Sequence, residues 1–66
     1  MQSLVDPLWA MKMATKFFEK YHSGVLPIEA FLDEDVWRVT VSIESTNKKI
    51  KQVMIDANTG KILDYY

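Results

Sequence analysis

The chain has 66 residues, a formal net charge of −1 and no cysteine. This length allows one domain, which buries only about 60% of the surface that its unfolded chain exposes. The absence of cysteine excludes disulfides and thiolate zinc sites, and the small net charge provides no overall attraction to nucleic acid or to an anionic membrane.

From the pattern of the given sequence we expect neither an export signal nor a membrane segment in its first residues. Lys12 is the first basic residue, so the charged start of a signal peptide is missing, and no apolar run approaches the ~20 residues of a membrane span. We therefore expect a cytoplasmic location without a membrane span. An extracytoplasmic location is expected instead if the chain is a piece of a longer exported protein.

A helix is predicted over residues 7–23. Asp6 suits the N-cap, and Pro7 suits the first helical position, where its missing N–H costs no hydrogen bond. Gly24 follows Ser23 and is expected to end the helix as the left-handed C′ residue. At about 100° per residue, one broad face of the helix is apolar. Its members are Ala10, Met11, Ala14, Phe17, Phe18 and Tyr21.

Three or four strands are predicted after the helix. The first covers 28–32 and is preceded by Pro27, which favours an edge position or a strand start. The clearest strand covers 36–45, where strict alternation of apolar and polar residues predicts one buried and one exposed face. The remaining strands are predicted at 50–56 and 61–65.

The last two strands are predicted to form a hairpin. The segment Asp56-Ala57-Asn58-Thr59-Gly60 places turn-forming residues between two apolar runs, and Gly60 is expected to adopt a positive φ. The asparagine and the aspartate are interpreted as turn formers whose side chains bond nearby backbone N–H groups.

The register of this hairpin depends on the length of its loop. A three-residue loop pairs Ile55 with Leu63. It also pairs Val53 with Tyr65, whereas a loop one residue longer pairs Val53 with Asp64. A slip of this kind moves side chains between faces, so the apolar match favours the shorter loop.

One helix followed by an antiparallel meander buries its apolar surfaces as two layers. We therefore predict an α+β fold with the N-terminal helix packed on a three- or four-stranded antiparallel sheet. The predicted core comprises Ala14, Phe17, Phe18, Tyr21, Trp37, Val39, Val41, Ile43, Val53 and Ile55.

The order of these elements and the final hairpin resemble the PepSY family. The phrase Val53-Met-Ile-Asp-Ala-Asn-Thr-Gly-Lys-Ile-Leu63 is similar to the family's typical ending: an apolar strand, Asp-Ala, Thr-Gly and a second apolar strand. Gly24-Val25 and Trp37-Arg-Val39 extend the resemblance over most of the chain. The resemblance implies a non-enzymatic protein-binding or regulatory module. Since the family includes propeptide segments of thermolysin-type metalloproteases, it also implies peptidase inhibition.

No group of residues suggests catalysis or metal binding. The only histidine, His22, is better explained by a surface position at the helix C-terminus than as a general base. The turn at 56–60 lacks the ligand spacing of an EF-hand, and Asp33-Glu34-Asp35, even with Glu29, suits a solvated turn. We therefore expect no enzymatic activity, no cofactor and no metal.

Lys12, Lys16 and Lys20 form a ridge along the polar side of the predicted helix. A weak anion or nucleic-acid binder would use such a ridge. Glu19 interrupts it, and the chain has a single arginine, whereas nucleic-acid binders usually add arginine, aromatic stacking or a strong positive charge. A solvated helix face is the favoured interpretation, and no nucleic-acid partner is expected.

Leu8, Trp9 and Tyr65 are the large apolar residues that the predicted core explains least. Leu8 is expected on the polar side of the helix and Trp9 at its margin. Such side chains mark a contact surface, or they form a second small cluster within the monomer. The first alternative predicts a protein partner or a homo-oligomer. Self-association through an edge strand is a further route to a structural module.

Overall fold

The computed structural model describes residues 5–44 and 49–66. It contains one helix and four strands in one antiparallel sheet, whose spatial order β1-β2-β3-β4 follows the chain. The helix packs on the sheet, chiefly against β1 and β2. The predicted two-layer α+β fold is therefore confirmed, with four strands. The elements are α1 (Pro7–Glu19), β1 (Val25–Asp33), β2 (Val36–Ile43), β3 (Lys49–Asp56) and β4 (Ile62–Tyr65).

The helix begins where the sequence predicts. Asp6 is the N-cap, and its Oδ1 accepts a hydrogen bond from the backbone N–H of Trp9 at 2.8 Å. Pro7 occupies the first helical position. The cap satisfies one of the N–H groups that a helix leaves unpaired in its first turn.

The helix ends at Glu19 rather than at residue 23. The N–H groups of Tyr21 and His22 both donate to Phe18 O, at 3.0 and 2.9 Å, so the chain turns away after a tightened final turn. Tyr21 therefore leaves the buried face and is 70% exposed, which corrects its predicted place in the core. Gly24 has the predicted positive φ, 66°, but it lies in the link to β1 and not at C′.

The core lies between α1 and one face of the sheet. The buried face predicted for β2 is confirmed, because the side chains of Trp37, Val39, Val41 and Ile43 are all buried. The opposite face is not exposed throughout, since Ser42 is buried as well. Phe17 is only half-buried, at the margin of the core. The buried apolar residues are Ala10, Ala14, Phe18, Val25, Trp37, Val39, Val41, Ile43, Val53, Ile55 and Ala57.

The first strand starts earlier than predicted and is an edge strand. It begins at Val25, since the N–H of Glu44 donates to Gly24 O at 2.9 Å and joins the two chain segments there. Pro27 lies within the strand, not before it. A register shift between Pro27 and Glu29 leaves Ile28 as an extra residue, which is a β-bulge. Residue 45, the last of the predicted second strand, lies outside the described residues.

The register of the final hairpin is partly as predicted. Val53 pairs with Tyr65, which confirms the expected pair. Ile55 pairs with Ile62 and not with Leu63, because a register shift follows Met54 in the ladder. Leu63 is consequently the extra residue of a second bulge, and its side chain is exposed.

The turn between β3 and β4 is held by its own polar groups. Asp56 Oδ1 accepts hydrogen bonds from the N–H groups of Asn58 and Thr59, at 2.8 and 3.2 Å. The N–H of Gly60 donates to Asp56 O at 2.7 Å, and Gly60 has φ +80°, as predicted. The aspartate acts as the predicted turn former.

The segment before the helix is fixed to the end of the sheet. The N–H of Val5 donates to Ala57 O at 2.8 Å, and the N–H of Ala57 donates to Asp35 O at the same distance. Trp37 Nε1 donates to Val5 O at 2.7 Å, so the buried indole has its polar atom satisfied. These bonds position the start of α1 against the turn between β3 and β4.

Candidate functional site

An open groove of about 690 Å³ runs along the exposed flank of α1 and reaches β1 at Pro27. We call it the α1–β1 groove. Its lining is largely apolar, with charged side chains of both signs around it. The apolar side chains belong to Leu8, Trp9, Met11 and Pro27, and the charged ones to Asp6, Lys12, Lys16 and Glu19.

Helical periodicity explains this lining. The residues at positions 8, 11, 12, 15, 16 and 19 recur at intervals of three and four, so they share one flank of α1. The hydroxyl of Thr15 donates to Met11 O at 2.8 Å and is satisfied within the helix. The flank therefore offers the groove apolar surface and lysine side chains, without an unsatisfied hydroxyl.

Leu8 and Trp9, two of the three residues predicted to contact a partner, both line this groove. Leu8 is 74% exposed and Trp9 43%. Trp9 is also part of an internal contact, since its ring lies against Gly60 in the turn between β3 and β4. One residue thus combines the two alternatives left open by the sequence: an exposed surface and a private cluster.

Tyr65 lies elsewhere. Its ring packs edge-to-face on Phe17 and Phe18, with centroid distances of 4.8 and 6.5 Å. It lines a second hollow, of about 290 Å³, together with Lys51 and His22. The structure therefore does not combine the three predicted contact residues in one surface.

The lysine ridge is also divided. Lys12 and Lys16 line the α1–β1 groove, whereas Lys20 is the C-cap of the helix and does not line it. Glu19 lies in the same groove and offsets part of the positive charge. The groove is consequently an apolar channel with charged side chains of both signs along it.

The charged residues of the β1–β2 turn lie apart from the groove. Arg38 Nε is 3.4 Å from Asp33 Oδ2, in the one salt bridge found within residues 5–44 and 49–66.

Over the same residues, no group of three or more His, Cys, Asp and Glu side chains is arranged to hold a metal ion. No helix in this part of the chain is long and apolar enough to cross a bilayer.

Sequence reasoning missed Met11, Thr15 and Pro27 as parts of the site. The spacing of the first two from Leu8 was a usable signal, because residues three, four and seven positions apart share a helix flank. The contribution of Pro27 had no such signal, since it depends on where β1 lies beside the helix.

Comparison with known proteins adds no assignment: no protein-family model, curated protein or solved structure matches the chain. The fold and the α1–β1 groove are thus the observations that bear on function.

Proposed function

We propose that the chain is a non-enzymatic protein-binding module whose binding surface is the α1–β1 groove. The exposed side chain of Leu8, beside Met11 and Pro27, is the observation that carries this proposal. Full burial of a leucine side chain that is otherwise largely in water is favourable by about 1.5–3 kcal/mol of free energy. A continuous apolar channel of this kind is therefore a favourable place for a partner to bind.

The occupant that suits the groove is a segment of a partner protein with apolar side chains. Lys12 and Lys16 stand beside the channel, and the alkyl part of a lysine packs on apolar groups while its ammonium stays in water. The two lysines would thus extend the apolar contact without losing their hydration. The opposite charges of Asp6 and Glu19 give the segment polar contacts near the groove.

We further propose, on the resemblance to the PepSY family, that the partner is a peptidase of the thermolysin type. Trp9 supports a link between the two features, because it lines the groove and also contacts Gly60 of the hairpin that carries the resemblance. Purified chain added to such a peptidase should slow the cleavage of a fluorogenic peptide in proportion to the chain's concentration. An unchanged rate at a large molar excess would contradict peptidase inhibition, but would leave protein binding to be tested separately.

A selection of displayed peptides on the immobilised chain tests the binding function. We expect the selected peptides to bind Leu8→Asp at least about tenfold more weakly, because a carboxylate replaces the exposed apolar group in the groove. Leu8→Met should keep most of the affinity. An aspartate in the first turn of a helix is favourable, so the folding of Leu8→Asp should be retained and is checked by circular dichroism.

Leu63→Asp is the matched control. Leu63 is 54% exposed and lies on β4, and it does not line the groove. Peptides that lose equal affinity for both aspartate variants, or for neither, would contradict the assignment of the groove. Light scattering that shows a dimer in the parent and a monomer in Leu8→Asp would instead place a second copy of the chain there.

A further inference from the structure

We propose that the partner segment binds as a fifth strand along the free edge of β1, with basic side chains opposite Glu29 and Asp33. This inference rests on the proposed function, because a strand added at this edge lies beside the α1–β1 groove. It names the partner class: an extended segment whose side chains alternate between the groove side and the uncovered face of the sheet.

The hydrogen bonds at the end of the sheet show which way the backbone of β2 points. The N–H of Ala57 donates to Asp35 O, so the residues of β2 at odd positions exchange hydrogen bonds with β3. The residues at even positions therefore pair with β1. The bond from the Glu44 N–H to Gly24 O agrees with this alternation at the other end of the strand.

The same alternation assigns the backbone groups of β1. Glu29 pairs with Thr40, and Phe31 pairs with Arg38. Both partners are at even positions, so Glu29 and Phe31 direct their N–H and C=O groups to β2. Ala30 and Leu32 lie between these pairs. Their N–H and C=O groups point to the edge of β1 that no other strand of the described residues covers, where an added strand would meet them.

Only the second half of β1 suits such pairing. Pro27 has no N–H, and the bulge at Ile28 bends the strand. Both features are common protections of an edge strand. They leave the regular segment 29–33 as the part of the edge that is open to a partner.

A second copy of the chain suits this edge poorly. An antiparallel pair that matches Ala30 with Leu32 of the copy places Glu29 opposite Asp33 on both sides of the two-fold axis, where like charges repel. The register that matches Ala30 with its own copy sets the bulge at Ile28 against Leu32 and interrupts the ladder. The segment is therefore expected to come from another protein.

The side chains of β1 specify what an added strand should carry on the uncovered face. Glu29, Phe31 and Asp33 are exposed and pair with β2 residues outside the core. Opposite charges and aromatic pairs stabilise neighbouring strands, so lysine or arginine suits the positions opposite the two carboxylates. Arg38 already places a guanidinium beside Asp33, which shows that this face accommodates one. An aromatic residue suits the middle position, opposite Phe31.

The groove side specifies the other two positions. Ala30 and Leu32 pair with Val39 and Trp37, two core residues, so their side chains lie on the face that α1 covers. Residues opposite them in an added strand would point to the side of Leu8 and the groove. The expected segment therefore reads basic, apolar, aromatic, apolar, basic.

The probe is the peptide acetyl-Thr-Lys-Val-Tyr-Val-Lys-Thr-amide, titrated into the full chain labelled with ¹⁵N. We expect the amide protons of Ala30 and Leu32 to become protected from exchange, with chemical-shift changes along β1 and α1. The two valines lie opposite these residues and exchange hydrogen bonds with them. N-methylation of both valine amides should weaken binding at least about tenfold, whereas N-methylation of the tyrosine amide should change it less than about twofold.

The contribution of charge to binding is tested by reversing the charges on the chain and on the peptide. Glu29→Lys should weaken binding of the lysine peptide and strengthen binding of the version with glutamate in place of both lysines. N-methylation leaves the chain unaltered, so a failure of the Glu29→Lys variant to fold does not affect the main test. Binding that is indifferent to N-methylation of the valines would overturn the added strand.

The experiment also separates this inference from the function on which it rests. Displayed peptides that lose affinity for Leu8→Asp, while the lysine peptide does not bind, would retain the groove and overturn the strand. Lysine-peptide binding that requires the valine N–H groups but is equal in the parent and Leu8→Asp would retain the strand and contradict the groove.

Discussion

The aromatic ring of Trp9 lies directly against Gly60. A Cβ placed on Gly60 would be 2.7 Å from Trp9 Cη2 and 3.0 Å from Cζ3. Gly60 also has φ +80°, a conformation that residues with a Cβ rarely adopt. Two independent requirements therefore select glycine, and the contact joins the first turns of α1 to the hairpin between β3 and β4.

Gly60→Ala should destabilise the chain by about 2–5 kcal/mol, the sum of about 1–2 for the positive φ and about 1–3 for overpacking. In a Trp9→Ala background the overpacking is removed, so the same change should cost only about 1–2 kcal/mol. Urea unfolding of the four proteins gives the coupling between the two sites. An equal cost in both backgrounds would show that Trp9 does not confine residue 60.

Phe18→Ala should leave the chain largely unfolded. Phe18 is 4% exposed, and truncation of a buried phenylalanine costs about 3–5 kcal/mol, which is comparable to the whole stability of a domain of this size. Tyr21→Ala should cost less than about 1 kcal/mol, because that side chain is outside the core. Thermal melts followed by circular dichroism compare the two, and similar losses would contradict the observed end of α1.

Asp6→Ala should destabilise the chain by about 1 kcal/mol, the usual effect of losing an N-cap acceptor. Asp6→Asn is the control, since its side-chain oxygen still accepts a hydrogen bond from the N–H of Trp9. Chemical denaturation measures both variants. If Asn proves as costly as Ala, the negative charge at the helix N-terminus matters more than the cap hydrogen bond.

Trp37→Phe should cost about 1–2 kcal/mol, because it removes the hydrogen bond from the indole to Val5 O and part of the ring. The amide of Val5, which donates to Ala57 O, should then exchange faster with solvent. The amide of Val53, in the middle of β3, provides an internal control for the change in global stability. A uniform acceleration at both sites would indicate that the indole does not hold the first segment specifically.

The sequence predicted those parts of the fold that are marked by a single clear local pattern. Alternation in β2 identified its buried face, and Asp6 with Pro7 identified the start of α1. The predicted end of α1 was wrong because the apolar periodicity continues to Tyr21, although the helix ends at Glu19 with Lys20 as its C-cap. A periodic pattern marks which side chains are apolar, but it does not show where helical hydrogen bonds stop.

The bulges were not predictable from the same rules. Ile62 and Leu63 are both apolar, so pairing Ile55 with either one gives an acceptable contact, and the choice depends on the geometry of the turn. Ile28 likewise carries no glycine or other local mark of an extra residue. Each bulge shifts the alternation of its strand, which is why the exposed positions of β1 and β4 differ from a simple pattern.

Two of the three residues predicted for the candidate site lie in it, and one does not. Leu8 and Trp9 were identified as large side chains outside the expected core, and both lie in the α1–β1 groove. Tyr65 was grouped with them, but β4 places it beside Phe17 on another side of the helix. The position of a helix across a sheet is set by tertiary packing, which the spacing of residues in one element does not contain.

The neighbour-to-neighbour order of the sheet has a consequence for kinetics. Strands that pair in chain order close shorter loops than strands that pair across the chain, so this order favours faster folding than a non-local strand order would. The contact of Trp9 with Gly60 joins distant parts of the chain, so we expect it to form after the rate-limiting step. Stopped-flow measurements on Gly60→Ala should then show faster unfolding at a nearly unchanged folding rate.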